Sequence, residues 1–230
     1  MSLYAAIVDY GLGNLYSVKQ ACNRVGLDSV ISSDRHLIEN ASAVILPGVG
    51  AFGDAMENLK RFDLVGVLKD YAFSGRPMMG ICLGLQLLME ESEEFGVHRG
   101  LAIIKGNVVK IKGARANGRM LKVPQVGWNA INAPAGVAGS NSCLWEGSPL
   151  DGVTGGTFMY FVHSFTVQPV DEDVRLAETV YGGISFCSAI RYKGLFACQF
   201  HPEKSGACGL EIYKSFQKKT IKSRKEQSHE

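Results

Sequence analysis

Short apolar runs alternate with amphipathic segments along the first half of the chain. The runs at 3–8, 43–46 and 77–81 are almost wholly apolar and are bounded by Asp, Pro, Gly or polar residues, which is typical of buried strands. Apolar residues recur at helical spacing elsewhere, and helices are predicted at 15–25, about 54–71 and 83–91. Strands that alternate with helices predict a doubly wound, mostly parallel α/β sheet with helices on both faces.

Beyond residue 101 the pattern changes to short β-rich pieces separated by Gly and Asn turns. These pieces lie at 108–111, 157–162, 178–180, 189–192 and 195–199, and amphipathic helix returns at 209–220. Their spacing predicts antiparallel hairpins added to the same sheet. The sequence contains no linker and no internal repeat, so we expect a single domain over 1–213, followed by the basic end of a helix and a tail over 214–230.

The composition is that of an ordinary globular protein. Of the 230 residues, 46% are hydrophobic and 20% charged, and no apolar run reaches the roughly 18 residues of a membrane span. The N-terminal segment lacks the basic stretch of a secretory signal, so a cytoplasmic protein is expected. The net charge is +2, with an excess of basic residues in the tail, but only Tyr213 and Phe216 lie among them. We therefore predict no nucleic-acid partner.

The cysteines exclude several classes of protein. None of the six forms a C-x-x-C pair, which argues against zinc-ribbon and thioredoxin-like sites. Without an export signal, a disulfide framework is not expected, and most of these residues are interpreted as buried thiols. No metal or cofactor site is predicted.

A candidate nucleophile lies in Gly80-Ile81-Cys82-Leu83-Gly84, between a predicted strand and a predicted helix. This pattern is typical of a nucleophile elbow, in which a tight turn exposes the reactive side chain at the carboxyl edge of a parallel sheet. The N–H of Leu83 and the start of the following helix favour a thiolate and an oxyanion there. A buried core cysteine beside a Gly-rich turn is the alternative.

A candidate base lies in Gln199-Phe200-His201-Pro202-Glu203, directly after a predicted strand. A thiol nucleophile needs a base, and Glu203 has the position to orient the His201 imidazole. A single histidine is more often structural than catalytic. Cys82 and His201 nevertheless both follow strands, and strand ends meet at one edge of a doubly wound sheet.

The loop at 47–52 and the strand end at His163 are further candidates for binding. Pro47-Gly48-Val49-Gly50-Ala51-Phe52 lacks the Lys-Ser/Thr of a phosphate loop, so an oxyanion loop is the better interpretation, with a plain tight turn as the alternative. Gly11-Leu12-Gly13 is not a dinucleotide fingerprint, because Tyr16 occupies the position of the third glycine. His163, at the end of a predicted strand, is either structural or directed at the substrate.

In this order, these motifs resemble the class I (triad) glutamine amidotransferases, which have a flavodoxin-like fold. Within that family they are most similar to the glutaminase subunits of imidazole glycerol phosphate synthases. The segments that carry the resemblance span nearly the whole chain: 9–14, 47–53, 80–86, 127–129, 160–165 and 199–205.

The resemblance implies a chemistry for each motif. Cys82 attacks the side-chain amide of L-glutamine, His201 transfers the proton, and Glu203 orients His201. Amides of Leu83 and of the loop at Val49 and Gly50 hold the oxyanion. The residues expected to surround the bound glutamine are Gly50, Gln86, Glu94, His163 and Ser164.

The resemblance also implies a partner. The ammonia passes to a separate (β/α)₈-barrel cyclase subunit, with which the chain forms a heterodimer in histidine biosynthesis. Asn14, Trp128 and Lys204 are expected to face that subunit, and Trp is a common interface anchor. Ordinary core packing is the alternative for Trp128.

Several alternatives stay open. Gln125 stands where the subfamily commonly has His, and related glutaminases supply ammonia for amidino-type sugars of surface polysaccharides. Alternatives from other classes are a non-catalytic flavodoxin-like binding module, a cysteine peptidase on a related fold and a catalytically silent homologue.

Overall fold

The structure is a computed structural model that describes residues 3–116, 119–134 and 145–227. The strands are β1 (Ala5–Val8), β2 (Ser29–Ser32), β3 (Ala43–Gly48), β4 (Met78–Cys82), β5 (Glu91–Ser92), β6 (His98–Arg99), β7 (Gly106–Lys110), β8 (Arg115–Ala116), β9 (Arg119–Met120), β10 (Gln125–Ile131), β11 (Thr157–His163), β12 (Phe165–Pro169), β13 (Arg175–Tyr181), β14 (Ile184–Tyr192) and β15 (Leu195–Cys198). The helices are α1 (Leu15–Arg24), α2 (Arg35–Glu39), α3 (Phe52–Arg61), α4 (Val65–Phe73), α5 (Leu83–Leu87) and α6 (Gly206–Gln227), and short 3₁₀ turns lie at Glu172–Val174 and Pro202–Lys204.

Eleven of the strands form one sheet that is parallel in its first half. Its order is β2-β1-β3-β4-β15-β14-β12-β7-β5-β6, and β13 pairs with β14 beside this path. Every pair from β2 to β15 is parallel. Beyond β15 the pairs are antiparallel except for β5 with β7. The predicted α/β fold with an added antiparallel portion is therefore confirmed.

The parallel strands bury both of their faces. Along β1, Ala6 and Val8 belong to one apolar core, whereas Ala5 and Ile7 belong to the other. Helices α3, α4 and α5 cover the first core, and α1 and α6 cover the second. Because side chains alternate between the faces of a strand, a strand covered on both sides has a continuous apolar sequence. This is why the short runs in the first half of the chain predicted strands correctly.

The predicted helix at 54–71 is wrong as a single element. It is two helices, because α3 ends at Arg61 and the chain turns at Asp63, which has a left-handed φ of 53°. Asp tolerates this conformation better than most residues. The Leu64 amide then donates to the Leu59 carbonyl at 2.9 Å before α4 starts.

The predicted helix at 83–91 is too long. Helix α5 ends at Leu87, and the chain continues to β5. The carbonyls of Leu87 and Leu88 accept hydrogen bonds from Leu101 and Ile103 at 2.8 and 2.9 Å. These distant amides satisfy the end of the helix, and no local sequence signal marks them.

Helix α6 packs along the second core beyond the proposed domain boundary at residue 213. Phe216 and Thr220 are buried on it. The division into 1–213 and 214–230 stays a prediction, and residues 228–230 lie outside the described part of the chain. None of the helices in the described ranges has the length and apolarity that a membrane crossing requires.

Candidate active site

Cys82 lies at a strained turn at the end of the central strand β4. Its φ and ψ are 55° and −108°, which is rare for a residue other than glycine. A Cβ at Gly84 would overlap the Leu46 carbonyl oxygen, and a Cβ at Gly80 would approach the Ala197 Cβ to 2.9 Å. The glycines on both sides are thus required by close packing, as the elbow pattern predicted. Because α5 has only five residues, the local amides of the turn, rather than a long helix, provide most of the positive potential.

His201 lies beside Cys82 because β15 is the parallel neighbour of β4. The 3₁₀ turn after His201 brings Glu203 back toward it, and the His201 Nδ1 lies 2.8 Å from Glu203 Oε1. The His201 ring and the Cys82 sulfur line the same cavity, and Cys82 is among the groups that raise the pKa of His201. The structure therefore brings together the three side chains that the sequence singled out from two distant motifs.

The electrostatic environment favours a protonated His201. Burial lowers the pKa of His201, but hydrogen bonds to Cys82 and Glu203 and the negative charge of both groups outweigh burial and raise it. A positively charged imidazole beside the sulfur is the arrangement that supports a thiolate nucleophile. Cys82, His201 and Glu203 together thus have the components of nucleophilic catalysis.

A cavity of about 260 Å³ opens beside Cys82. All the predicted oxyanion and glutamine-binding residues line it: Val49, Gly50, Leu83, Gln86, Glu94, His163 and Ser164. Gly50 has a φ of 105°, a left-handed conformation that glycine adopts at low cost. The loop after β3 and the turn after β4 therefore present their backbone to the same space as the sulfur.

Gln86 and Glu94 already have protein partners in this cavity. Gln86 Nε2 donates to the Phe165 carbonyl at 3.1 Å and to Gln199 Oε1 at 3.2 Å. Glu94 Oε2 accepts from the Phe52 amide at 2.7 Å, so Glu94 also anchors the end of the glycine-rich loop. With both Nε2 hydrogens used, the Gln86 carbonyl oxygen is the amide group that can receive a ligand N–H.

His163 is both a structural residue and part of the cavity wall. Its ring packs against Phe161 and Phe186, with centroids 5.6 and 5.1 Å away. Nδ1 lies 2.9 Å from the Phe165 carbonyl, which only accepts, so Nδ1 carries the proton. Burial lowers the pKa of His163 to about 4. The hydrogen bond to the Phe165 carbonyl opposes this shift, and the charge of nearby His201 adds to it. The imidazole is therefore neutral at physiological pH.

We expect His163 to make the free energy of unfolding fall between pH 6.5 and 4. In the unfolded chain its pKa returns to 6.5, so the unfolded state binds the proton first as the pH falls. The stability contributed by neutral His163 is present above pH 6.5 and is lost toward pH 4, about 3 kcal/mol in total. Urea unfolding should show the advantage of wild type over His163→Gln shrinking by that amount. A pH-independent difference contradicts the prediction, and exposed His36→Gln is the control.

Sequence reasoning did not assign Gln199 or Gln125 to the cavity region. Gln199 is fully buried beside Cys82, and its only sequence signal is a polar residue at the end of an apolar strand. Gln125 stands out in the sequence only because the subfamily commonly has His at that position. It is buried at the start of β10 and pairs with His163, next to the cavity.

An apolar face covers the outside of the two-stranded ribbon β10–β11. Register pairs Val126 with Val162 and Trp128 with Tyr160, and Phe158 lies on the same face one pair further along. Trp128 is 54% exposed, so the alternative that it packs in the core is wrong. We call these five residues the ribbon face. Only Trp128 was singled out from the sequence, because the outward direction of the others depends on the register.

Lys204 and Asn14 are both exposed. The Lys204 Nζ lies 6.0 Å from the centre of the Tyr160 ring, whose other neighbour is the Trp128 ring at 5.9 Å. Asn14 caps α1 through a 3.3 Å hydrogen bond from the Ser17 amide. Lys204 therefore borders the ribbon face directly, whereas the observed contact of Asn14 is with its own helix.

The other described cysteines differ from Cys82 in environment. All five in the described ranges are free. Burial raises the pKa of Cys22 and Cys187 to about 12, and that of Cys198 well above the ordinary value. Cys208 is exposed, and Cys143 lies outside the described residues. Over the same residues, no group of three or more His, Cys, Asp or Glu side chains has the arrangement of a metal site.

Comparison with known proteins gives a family and a set of relatives. The family model described as glutamine amidotransferase class-I matches residues 6–219. The chain is 44% identical over 220 residues to the imidazole glycerol phosphate synthase subunit HisH of Aquifex aeolicus, covering 94% of this chain and 97% of that one. It is 43% identical over 212 residues to the HisH subunit of Geobacter metallireducens, covering 92% and 96%.

Solved structures show the same fold at low identity. A glutamine amidotransferase matches with a TM-score of 0.67 and 17% identity, covering 94% of this chain and 98% of that one. PurLQS from Thermotoga maritima matches with a TM-score of 0.68 at 17% identity and the same coverage. Together with the family model and the HisH relatives, these findings confirm the predicted family: the chain belongs to the class I glutamine amidotransferases.

Proposed function

We propose that this chain is the glutaminase subunit of an imidazole glycerol phosphate synthase. It hydrolyses L-glutamine to glutamate and ammonia in the cytoplasm, and a separate (β/α)₈-barrel cyclase subunit uses the ammonia in histidine biosynthesis. The observation that carries the chemistry is that Cys82 and His201 line one cavity, while Glu203 lies behind His201 and contacts its Nδ1. The shared name of the curated relatives supports the pathway.

The first half of the reaction forms a thioester. The Cys82 thiolate attacks the side-chain carboxamide carbon of glutamine, and the negative charge moves to the carboxamide oxygen. Amides of Leu83 and of the loop at Val49 and Gly50 hold that oxyanion. His201 gives its proton to the nitrogen, the C–N bond breaks, and ammonia leaves.

The second half releases glutamate. His201, now neutral, takes a proton from water, and the hydroxide attacks the thioester carbon. The C–S bond breaks, and the Cys82 thiolate returns beside a protonated His201. Glu203 stays ionised and keeps Nδ1 of the imidazole protonated, so that the other nitrogen faces the reaction.

The ribbon face is the proposed docking surface for the cyclase subunit. It joins exposed aliphatic and aromatic side chains to a rim cation at Lys204, which is the usual composition of a protein interface. The same ribbon forms part of the cavity, because the Val162 carbonyl lies 3.7 Å from the Cys82 sulfur. Docking there places the ammonia source next to the partner.

We expect glutamate release by this chain to rise strongly when a barrel cyclase subunit and its nucleotide substrate are added. In a titration with the cyclase, Trp128→Ala should need about 30-fold more partner for half-maximal activation, the weakening expected from loss of an aromatic anchor. Val170→Ala removes part of an exposed apolar side chain outside the ribbon face and should leave the titration unchanged.

Three outcomes separate the alternatives. No rise on mixing, with Cys82 still labelled by a glutamine-analogue affinity reagent, keeps the glutaminase and favours the amidino-sugar synthases. A rise that Trp128→Ala does not shift rejects the ribbon face as the docking surface. Absence of both activation and labelling rejects the glutaminase itself.

A further inference from the structure

Gln199 connects the two motifs of the site through its side chain. It is fully buried, and it lies two residues before His201. Its Nε2 is 3.6 Å from the Cys82 sulfur, a hydrogen-bond distance for sulfur, and its Oε1 is 3.2 Å from Gln86 Nε2. A buried amide needs partners for both of its ends, and here one of them is the nucleophile.

The direction of these hydrogen bonds is fixed by a backbone carbonyl. Gln86 Nε2 lies 3.1 Å from the Phe165 oxygen, which only accepts, so the nitrogen of Gln86 must point there. The same nitrogen donates its second hydrogen to Gln199 Oε1. Gln199 is thereby oriented with its N–H groups, and not its oxygen, toward Cys82.

The contact with Gln199 favours the ionised form of the nucleophile. A Cys82 thiol donates to the Val162 carbonyl at 3.7 Å, and this bond is lost when the proton leaves. The Gln199 N–H has the Cys82 sulfur as its acceptor in both the thiol and the thiolate form. It interacts more strongly with the negative sulfur than with the neutral one. Because the amide is neutral, it supports the thiolate without competing with His201 for the proton.

We propose that Gln199 is a further catalytic residue, which stabilises the Cys82 thiolate through an amide N–H whose direction Gln86 fixes. Gln86 then acts as a positioning residue in addition to any contact with glutamine. The inference rests on the proposed function, because it assigns a role within the same reaction.

The test measures carbamidomethylation of Cys82 by iodoacetamide against pH in the full chain, with the Cys82 peptide quantified by mass spectrometry. In Gln199→Met, which keeps the length but removes the donor, we expect the rate on the acid side of the profile to fall about tenfold. The midpoint of the profile should rise by about one pH unit, and the rates should converge with wild type at high pH. Gln199→Glu is the closest replacement in shape. We expect its rate of carbamidomethylation to fall further, because the substitution places a carboxylate beside the sulfur.

The controls separate a thiolate effect from a structural one. Ser188 lies on β14, its Oγ has no hydrogen-bond partner in the described residues, and Ser188→Ala should keep the wild-type profile. A uniform loss of rate at every pH in Gln199→Met indicates altered access and overturns the proposal. So does a wild-type profile in Gln199→Glu.

Labelling of the wild type by a glutamine analogue tests the proposed function separately. Failure of that labelling, with the shifted iodoacetamide profile present, rejects the glutaminase but keeps the thiolate contact. Normal labelling with an unshifted profile rejects the role of Gln199 alone.

Discussion

Replacing Cys82 with Ala is expected to abolish glutamine-dependent synthesis by the complex, while synthesis from added ammonium salts continues. Without the sulfur no thioester forms, and removal of a nucleophile typically costs several orders of magnitude in rate, here at least about 10³-fold. In the proposed complex, the acceptor chemistry belongs to the partner and does not need Cys82. Paired assays with glutamine and with ammonium chloride measure both activities on one preparation.

The remaining cysteines provide the controls for this experiment. Cys208→Ala changes an exposed thiol and should leave both activities intact. Cys198→Ala changes a buried thiol on the neighbouring strand and tests whether any cysteine near the elbow has the same effect. Loss of both activities in Cys82→Ala indicates a structural role for Cys82, and strong loss in either control shows that another thiol is the nucleophile.

Gly84→Ala is expected to destabilise the fold by about 3 kcal/mol or more and to prevent labelling of Cys82 by a glutamine analogue. The added methyl group would overlap the Leu46 carbonyl oxygen in β3, a backbone atom that cannot turn aside. Helix α5 must then move away from the sheet, which displaces the Leu83 amide and the nucleophile together. Thermal unfolding and the labelling rate measure the two effects.

The matched control for Gly84→Ala is Gly66→Ala in α4. A Cβ at Gly66 has no atom within 4 Å, so the substitution meets open space. Helix propensity then predicts a gain of up to about 1 kcal/mol with unchanged labelling. A similar loss of stability at both positions would show that helical glycines, and not the contact with β3, determine the effect at Gly84.

The fold could be predicted from the sequence where burial is two-sided. The continuous apolar runs at β1, β3 and β4 have no other stable location than the centre of a parallel sheet. Strand β2 could not be predicted in this way, because its serines and partly exposed residues form an edge without a continuous run. The ends of α3 and α5 depend on Asp63 and on amides from distant residues, which no local pattern marks.

The site could be predicted as far as strand order determines it. Cys82 and His201 each end a strand, and neighbouring parallel strands place such residues together. The contacts of Gln199 with Cys82, and of Glu94 with the Phe52 amide, depend on how loops pack across the sheet edge. The sequence therefore indicated Cys82, His201 and Glu203, but not the further contacts that hold the site in place.

The ribbon β10–β11 has a consequence for how this protein can evolve. Along β11, Phe158, Tyr160 and Val162 belong to the outer ribbon face, while Phe161 and His163 lie on the inner face. In the proposed function, a single strand backbone therefore serves partner recognition on one side and the glutamine site on the other. Substitutions that adapt the outer side to a new synthase act on a strand that also shapes the glutamine site. Substitutions that change the partner are thus expected to change glutaminase activity as well. An engineered exchange of partners should require compensating substitutions on the inner face of the ribbon.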